Sequence, residues 1–309
     1  MGGVDLPLPF QAGAFSGLLS PLRRRVSARR VLIAVGSDGM TCAWHSKGRW
    51  FWTAASWPEG ACRHGIPEQP ESIADLIADA CLDLGLIGAR VELLLPLNLC
   101  QWRVVDRDSV GSGMPFDESL LRRLSWSLDP DDSYVSISDC FGSQLAVGLP
   151  RSGLQAWIDV FEQADLHLER VDWLLSAAWR GVVQEMSQQD VDIAWLIAHG
   201  SQTRLILLHH GVPEVDRQFA KFDSSISASL DDFVEAWQEH HQVEASVRWL
   251  MTAPLSNNLH EFNPRTQAGE ARRIEPSAVL EYQSFDPRAE PQLLDPLVFL
   301  GFAGLGLAS

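Results

Sequence analysis

Thiol and imidazole groups fall at C-x2-H and C-x-H spacing in the first quarter of the chain: Cys42 and His45, then Cys62 and His64. Sulfur and nitrogen donors of that kind suit a tetrahedral zinc ion. The spacing fits no standard zinc module, and Cys42 sits in an apolar, strand-like run, so burial is the stronger reading and no metal is expected. His209-His210 and His240-His241 are weaker ligand sets, because neighbouring side chains on a strand point to opposite faces. The acid pairs Asp131-Asp132 and Asp231-Asp232 could divide acid and base work, but in a surface turn and at a helix start such pairs usually cap or meet solvent. No G-x-S-x-G elbow, G-x-x-x-x-G-K-[ST] loop or G-x-G-x-x-G motif after a strand occurs, and Gly111-Ser112-Gly113 reads as a flexible loop.

Aromatic residues are the unusual part of the composition. Trp50, Phe51 and Trp52 are consecutive, so a strand there carries aromatic surface on both faces. Rimmed by Lys47 and Arg49, that run is a candidate partner-binding groove, with plain burial as the competing expectation.

At 309 residues the chain exceeds one comfortable core and suits two lobes. With 46% hydrophobic and 21% charged residues it is neither disordered, collagen-like nor coiled coil. A net charge of -16 repels a phosphate backbone, which argues against a nucleic-acid partner. Residues 1–29 form a separate basic arm, with Arg23, Arg24, Arg25 and Arg29 against Asp5 alone. Its apolar residues precede the arginines, the wrong order for an export signal, and Leu297 to Ala308 is too short for a bilayer span. A cytoplasmic location is expected, with peripheral membrane contact through the arm as an alternative to a plain frayed tail. Five widely spaced cysteines argue for reduced thiols.

The pattern predicts a three-stranded meander (31–35, 40–44, 49–54), then a helix over 71–86 and a strand at 91–95. A helix over 118–128, strands at 134–138 and 143–148, and helices at 153–164 and 173–186 complete a first lobe. This lobe spans 30–187, with a small inserted subdomain near 88–150. After a polar joint, a second lobe (188–309) begins with strands at 193–197, 204–209 and 214–219, a helix at 230–240 and a strand at 246–251, before a polar closing segment.

Two stretches 164 residues apart share a local form: Leu32-Ile33-Ala34-Val35-Gly36-Ser37 and Leu196-Ile197-Ala198-His199-Gly200-Ser201. Each is an apolar strand reaching A-x-G-S, then a turn and a second apolar strand, which suggests two related halves. This arrangement resembles the two-lobed α/β actin-like (ribonuclease H-like) ATPase fold, whose lobes each open with a D-x-G-[ST] phosphate loop. The order of further motifs is similar to that of PilM-like type IV pilus assembly proteins, with MshI/HofM-type and type II secretion scaffold domains. These motifs are "SQLAVGLPRSGLQAWIDVFEQADLHLERVDWLLSAAWR", then Gly200, Thr203, Gly211 and Arg217, then "VFLGFAGLGLAS".

The resemblance assigns the phosphate loops to Ala34, Gly36, Ser37, Asp38 and Gly39, and to Ala198, Gly200, Ser201, Gln202 and Thr203. Alanine replaces the magnesium-organising aspartate in both, and alanine supplies no oxygen ligand. The glycine pair expected near Met251 to Asn258 is also absent. The implied protein is a pseudoenzyme with a degenerate cleft: a scaffold for pilus, secretion or competence assembly that binds the cytoplasmic tail of a PilN-like inner-membrane partner through residues 30–185. It has no required cofactor, and self-association is open. The alternative is an active actin-like ATPase or kinase that uses ATP and magnesium through displaced acids such as Asp38 or Asp216.

Overall fold

The computed structural model describes residues 29–105, 127–129, 131–186, 192–199, 202–219, 224–241, 247–254, 262, 264, 272–276, 280–284 and 293–307. Strand β1 (Arg30–Val35) is apolar after Arg30, as suits a strand covered on both faces, and Val31, Leu32 and Ile33 are completely buried. It pairs antiparallel with β2 (Gly39–Ser46), which turns through Lys47-Gly48 into β3 (Arg49–Ser56). Positive φ at both turn residues matches the two-residue hairpin that follows strand twist. A small ladder, β4 (Cys62–Arg63) with β5 (Ile66–Pro67), leads to helix α1 (Pro70–Asp83). Proline opens α1, and Gly85 at φ 66° follows its end, so the helix stops before the expected Leu86.

Strand β6 (Arg90–Leu95), whose residues lay within the expected insert, runs parallel to β1 inside the first sheet. The sheet beyond it is a three-stranded one of β7 (Gln101–Val105), β8 (Ser133–Cys140) and β9 (Ser143–Pro150), in the order β7-β9-β8. The helix expected at 118–128 lies outside the described residues up to 126, and Ser127-Leu128 form a bend. Helix α2 (Arg151–Gln163) follows, with Trp157, Val160 and Phe161 in the core. Strand β10 (His167–Trp173) was not apparent in the sequence pattern, yet it pairs with β6 at the sheet edge. Its sequence, HLERVDW, is charge-rich, and Asp172 is buried only because Arg170 and Arg180 bind its carboxylate. Helix α3 (Leu174–Met186) closes the unit.

The second unit repeats the first. Strands β11 (Ile193–His199), β12 (Gln202–His209) and β13 (Val212–Phe219) form an antiparallel meander; helix α4 (Ser224–His241) follows; β14 (Arg248–Thr252) returns parallel to β11. The order β14-β11-β12-β13 thus mirrors β6-β1-β2-β3. The closing segment adds β15 (Arg272–Arg273) to the second sheet and β16 (Leu280–Tyr282) to the first, where β16 lies on β3.

Helix α5 (Pro296–Gly304), within the range expected for the second lobe, packs on α3 of the first. Its residues Pro296 to Phe302 are all buried, as an all-apolar helix requires. Among the described residues, no helix is long and apolar enough to cross a membrane. The α3–α5 crossing brings backbone against backbone: a Cβ on Gly304 would stand 1.8 Å from the Ala177 carbonyl oxygen, and one on Gly181 2.5 Å from that of Leu300. Gly304→Ala should therefore force the helices apart and cost about 1–3 kcal/mol of stability. Chemical denaturation with an unchanged midpoint would contradict this packing.

Candidate functional site

The first A-x-G-S turn is tied from inside the protein. The Gly36 N–H donates to the Gly39 carbonyl at 2.8 Å, and the Trp57 backbone N–H donates to the Asp38 carbonyl at 2.9 Å. The Gly36 carbonyl accepts the Trp57 indole N–H at 2.9 Å and faces the Cys62 thiol at 3.6 Å. Gly39 has no alternative, because a Cβ there would lie 2.1 Å from the Ala55 carbonyl oxygen. Ser37 and Asp38 at the tip are exposed. The Gly36 N–H is thus already paired within the turn.

The second turn is shorter. Ala34 faces Thr41 across β1–β2, whereas Ala198 faces Thr203 across β11–β12, two residues fewer around the bend. Gly200 and Ser201 lie outside the described residues. Gln202 is half-buried, and Thr203 is buried. The Ala34 and Ala198 methyls are 4% and 1% exposed, so neither position offers an oxygen to the cleft.

Beside the second turn lies a charged contact that the sequence pattern did not reveal. His199 ends β11, and its Nδ1 lies 3.0 Å from Asp295 Oδ2 at the start of α5. Asp295 also caps that helix, its Oδ1 accepting the Leu297 N–H at 2.7 Å and facing the Val298 N–H at 3.4 Å. Burial alone would lower the His199 pKa, but the Asp295 hydrogen bond and charge, with the charge of Asp38 from the first turn, raise it above 6.5. Burial likewise pushes Asp295 up, and His199 with the two helix N–H groups brings it below 3.8.

Beside the cleft, a second junction joins the small sheet to the second unit. Asp216 accepts Arg204 Nε–H at 2.6 Å and the Trp102 indole N–H at 2.7 Å. Arg204 also lies 5.6 Å over the Trp173 ring, and Trp179 donates to the Gly211 carbonyl at 2.9 Å. Asp216 thus pairs with Arg204 and links the small sheet to the second unit.

The remaining candidates are also embedded. Trp52 is 5% exposed and packs on Tyr282 with ring centroids 4.9 Å apart; Phe51 stacks on Trp44, and Trp50 meets His45 edge-on. Strand β16 covers the outer edge of β3, and Arg49 pairs with Glu281 at 3.0 Å. Trp52 is thus buried beside β16, while Trp50 and Phe51 are half-buried. Burial pushes the Cys62 and Cys81 thiols up to about 11 and Cys140 to about 12, and Cys42 and Cys100 well above their ordinary value; all five are free. Among the described residues, no group of three or more His, Cys, Asp and Glu side chains is placed to hold a metal ion.

Chains of known structure share this architecture. One in a PilM-PilN type IV pilus biogenesis complex aligns with a TM-score of 0.63 at 13% identity, covering 91% of this chain and 99% of that one. A Bacteroides thetaiotaomicron protein with an actin-like ATPase fold and unknown function aligns with a TM-score of 0.51 at 9% identity, over 91% and 96%. The fold is the actin-like one.

The cytoplasmic domain of EpsL, an inner-membrane component of the type II secretion system of Vibrio cholerae, aligns at a TM-score of 0.49 and 11% identity, over 91% and 96%. No family model matches the sequence, and no curated protein matches it. Ala34 and Ala198 are each the penultimate residue of the first strand of their meander. His199 and Asp295 went unnoticed because they are 96 residues apart; the signals that could have found them were the ionisable residue beside Ala198 and the Asp-Pro start of the last helix. Trp52→Ala should cost about 3–5 kcal/mol of stability through the cavity left against Tyr282 and β2. A variant that melts like the parent would restore the open-groove reading.

Proposed function

We propose that the chain is a non-catalytic scaffold for type IV pilus or related secretion or competence assembly. It works at the cytoplasmic face of the inner membrane and binds the cytoplasmic tail of a PilN-like membrane-anchored partner. The observation that carries this reading is the pair of buried alanines, Ala34 and Ala198, at the ends of the strands leading into the facing turns. A magnesium-bound triphosphate needs oxygen ligands there, and a methyl group provides none. The internal use of the Gly36 N–H supports the same reading, as does the engagement of Asp216 by Arg204 and Trp102. The assembly role is supported by the likeness in fold to the chain in the PilM-PilN complex. We place the tail on the first lobe, away from β3, whose free edge is already taken by β16. ATP and magnesium are not required for this role, and peripheral membrane contact falls to the basic arm.

Thermal melting in millimolar Mg-ATP tests the loss of nucleotide binding. No shift is expected, whereas a ligand at a hundred times its dissociation constant would add about 2.7 kcal/mol. An upward shift of several degrees would return the cleft to the ATPases. Capture of the full chain by an immobilised peptide from the cytoplasmic tail of a PilN-like protein tests the partner. Retention is expected, and passage through the column would overturn the scaffold assignment.

A further inference from the structure

Helix α1 turns Ile73, Ala74, Ile77, Ala80 and Cys81 into the core, and its opposite face carries Glu71, Asp75, Asp79 and Asp83, all exposed, with no basic residue in the helix. Spaced four apart, these carboxylates form one stripe. Leu82 belongs to the same face, three residues after Asp79 and seven after Asp75, and it is 58% exposed. Ile87, in the turn beyond Gly85, is 56% exposed. Among the described residues four large apolar side chains are exposed, and two of them stand here. Asp83 is in the last turn, where the helix dipole is already negative, so the stripe favours a cation most at this end.

The basic arm joins the fold at that same place. Arg29 donates from Nη1 to the Gly85 carbonyl at 3.1 Å, and its own carbonyl accepts the Arg90 N–H at 2.9 Å. The preceding residues bring what the face lacks: Arg23, Arg24 and Arg25, and before them Phe15, Leu18, Leu19 and Leu22. An extended chain spans about 3.5 Å per residue, so Arg25 can stand up to about 14 Å from Arg29 and Arg23 up to about 21 Å, which is the length of α1. A tethered segment meets its site at an effective concentration on the order of millimolar, so weak, exposed ion pairs suffice to hold it. An anionic lipid surface, by contrast, carries the wrong charge for this face.

We propose that residues 15–25 dock on the solvent face of α1, with Arg23 to Arg25 on the carboxylates of Asp75, Asp79 and Asp83 and the apolar residues on Leu82 and Ile87. This goes beyond the scaffold reading, because it concerns the chain alone in solution and needs neither partner nor membrane. Leu82→p-benzoylphenylalanine places a photo-crosslinker in the stripe, at a position exposed enough for the fold to be indifferent to the change. Irradiation of the full chain at low concentration, followed by mass spectrometry of its peptides, should join position 82 to residues 15–25 within a monomer. Asp75→Lys, Asp79→Lys and Asp83→Lys together should lower the ratio of crosslinked to free arm about tenfold. Adding Arg23→Glu, Arg24→Glu and Arg25→Glu to that variant should restore it, which mere proximity of the arm would not do. No crosslink from position 82 to the arm would overturn the docking and leave the arm to the membrane. A crosslink formed only between two copies, or a yield that charge reversal leaves unchanged, would overturn it equally.

Discussion

The contact between α3 and α5 is made backbone to backbone, and the placement of the cleft depends on it. With Gly181 and Gly304 at the crossing, the last described helix reaches back from the second unit and seats itself in the core of the first. A side chain larger than hydrogen at Gly304 would meet a carbonyl oxygen that cannot move without displacing α3. Because α5 is fixed there, Asp295 at its start is fixed too. The end of β11 then brings His199 to that carboxylate.

Tryptophan gives the molecule a second kind of fastening. Trp57 holds the Gly36 carbonyl, Trp157 that of Gly65, Trp173 that of Leu97 and Trp179 that of Gly211. Each of these rings is buried and each N–H finds a turn or loop carbonyl, so burial of the large ring carries no unpaired donor. The loops that shape the cleft and its flanks are thereby anchored from the core side, unlike loops arranged around a ligand. Trp102 differs in donating to Asp216, which also takes Arg204, and that pairing joins the small sheet to the second lobe.

These fastenings join two meander-led sheets through α3 and α5, and one buried apolar cluster runs from the first sheet through both helices to the inner face of the second. The first turn is closed by its own Gly36 N–H, and His199 meets Asp295 at the edge of that core.

Much of the architecture is written locally. Alternation and apolar runs mark the meanders at β1 to β3 and β11 to β13, helical spacing marks α1, α2 and α4, and the repeated A-x-G-S marks the duplication. Each depends on neighbours within a few residues, so one chain read in order suffices. Strand β10 escaped because the burial of Asp172 rests on ion pairs with Arg170 and with Arg180, nearly two turns into the next helix, which makes a charge-rich segment behave as core. The aromatic run of β3 suggested an exposed groove because its cover, β16, lies more than 220 residues away. His199 and Asp295 became partners only when α5 crossed back, since their meeting is set by the path of the chain between lobes and by no periodicity in either segment. Residue types thus determined which halves would form. Only the tertiary structure decided what fills the space between them, because contacts distant in sequence are fixed by packing and not by local preference.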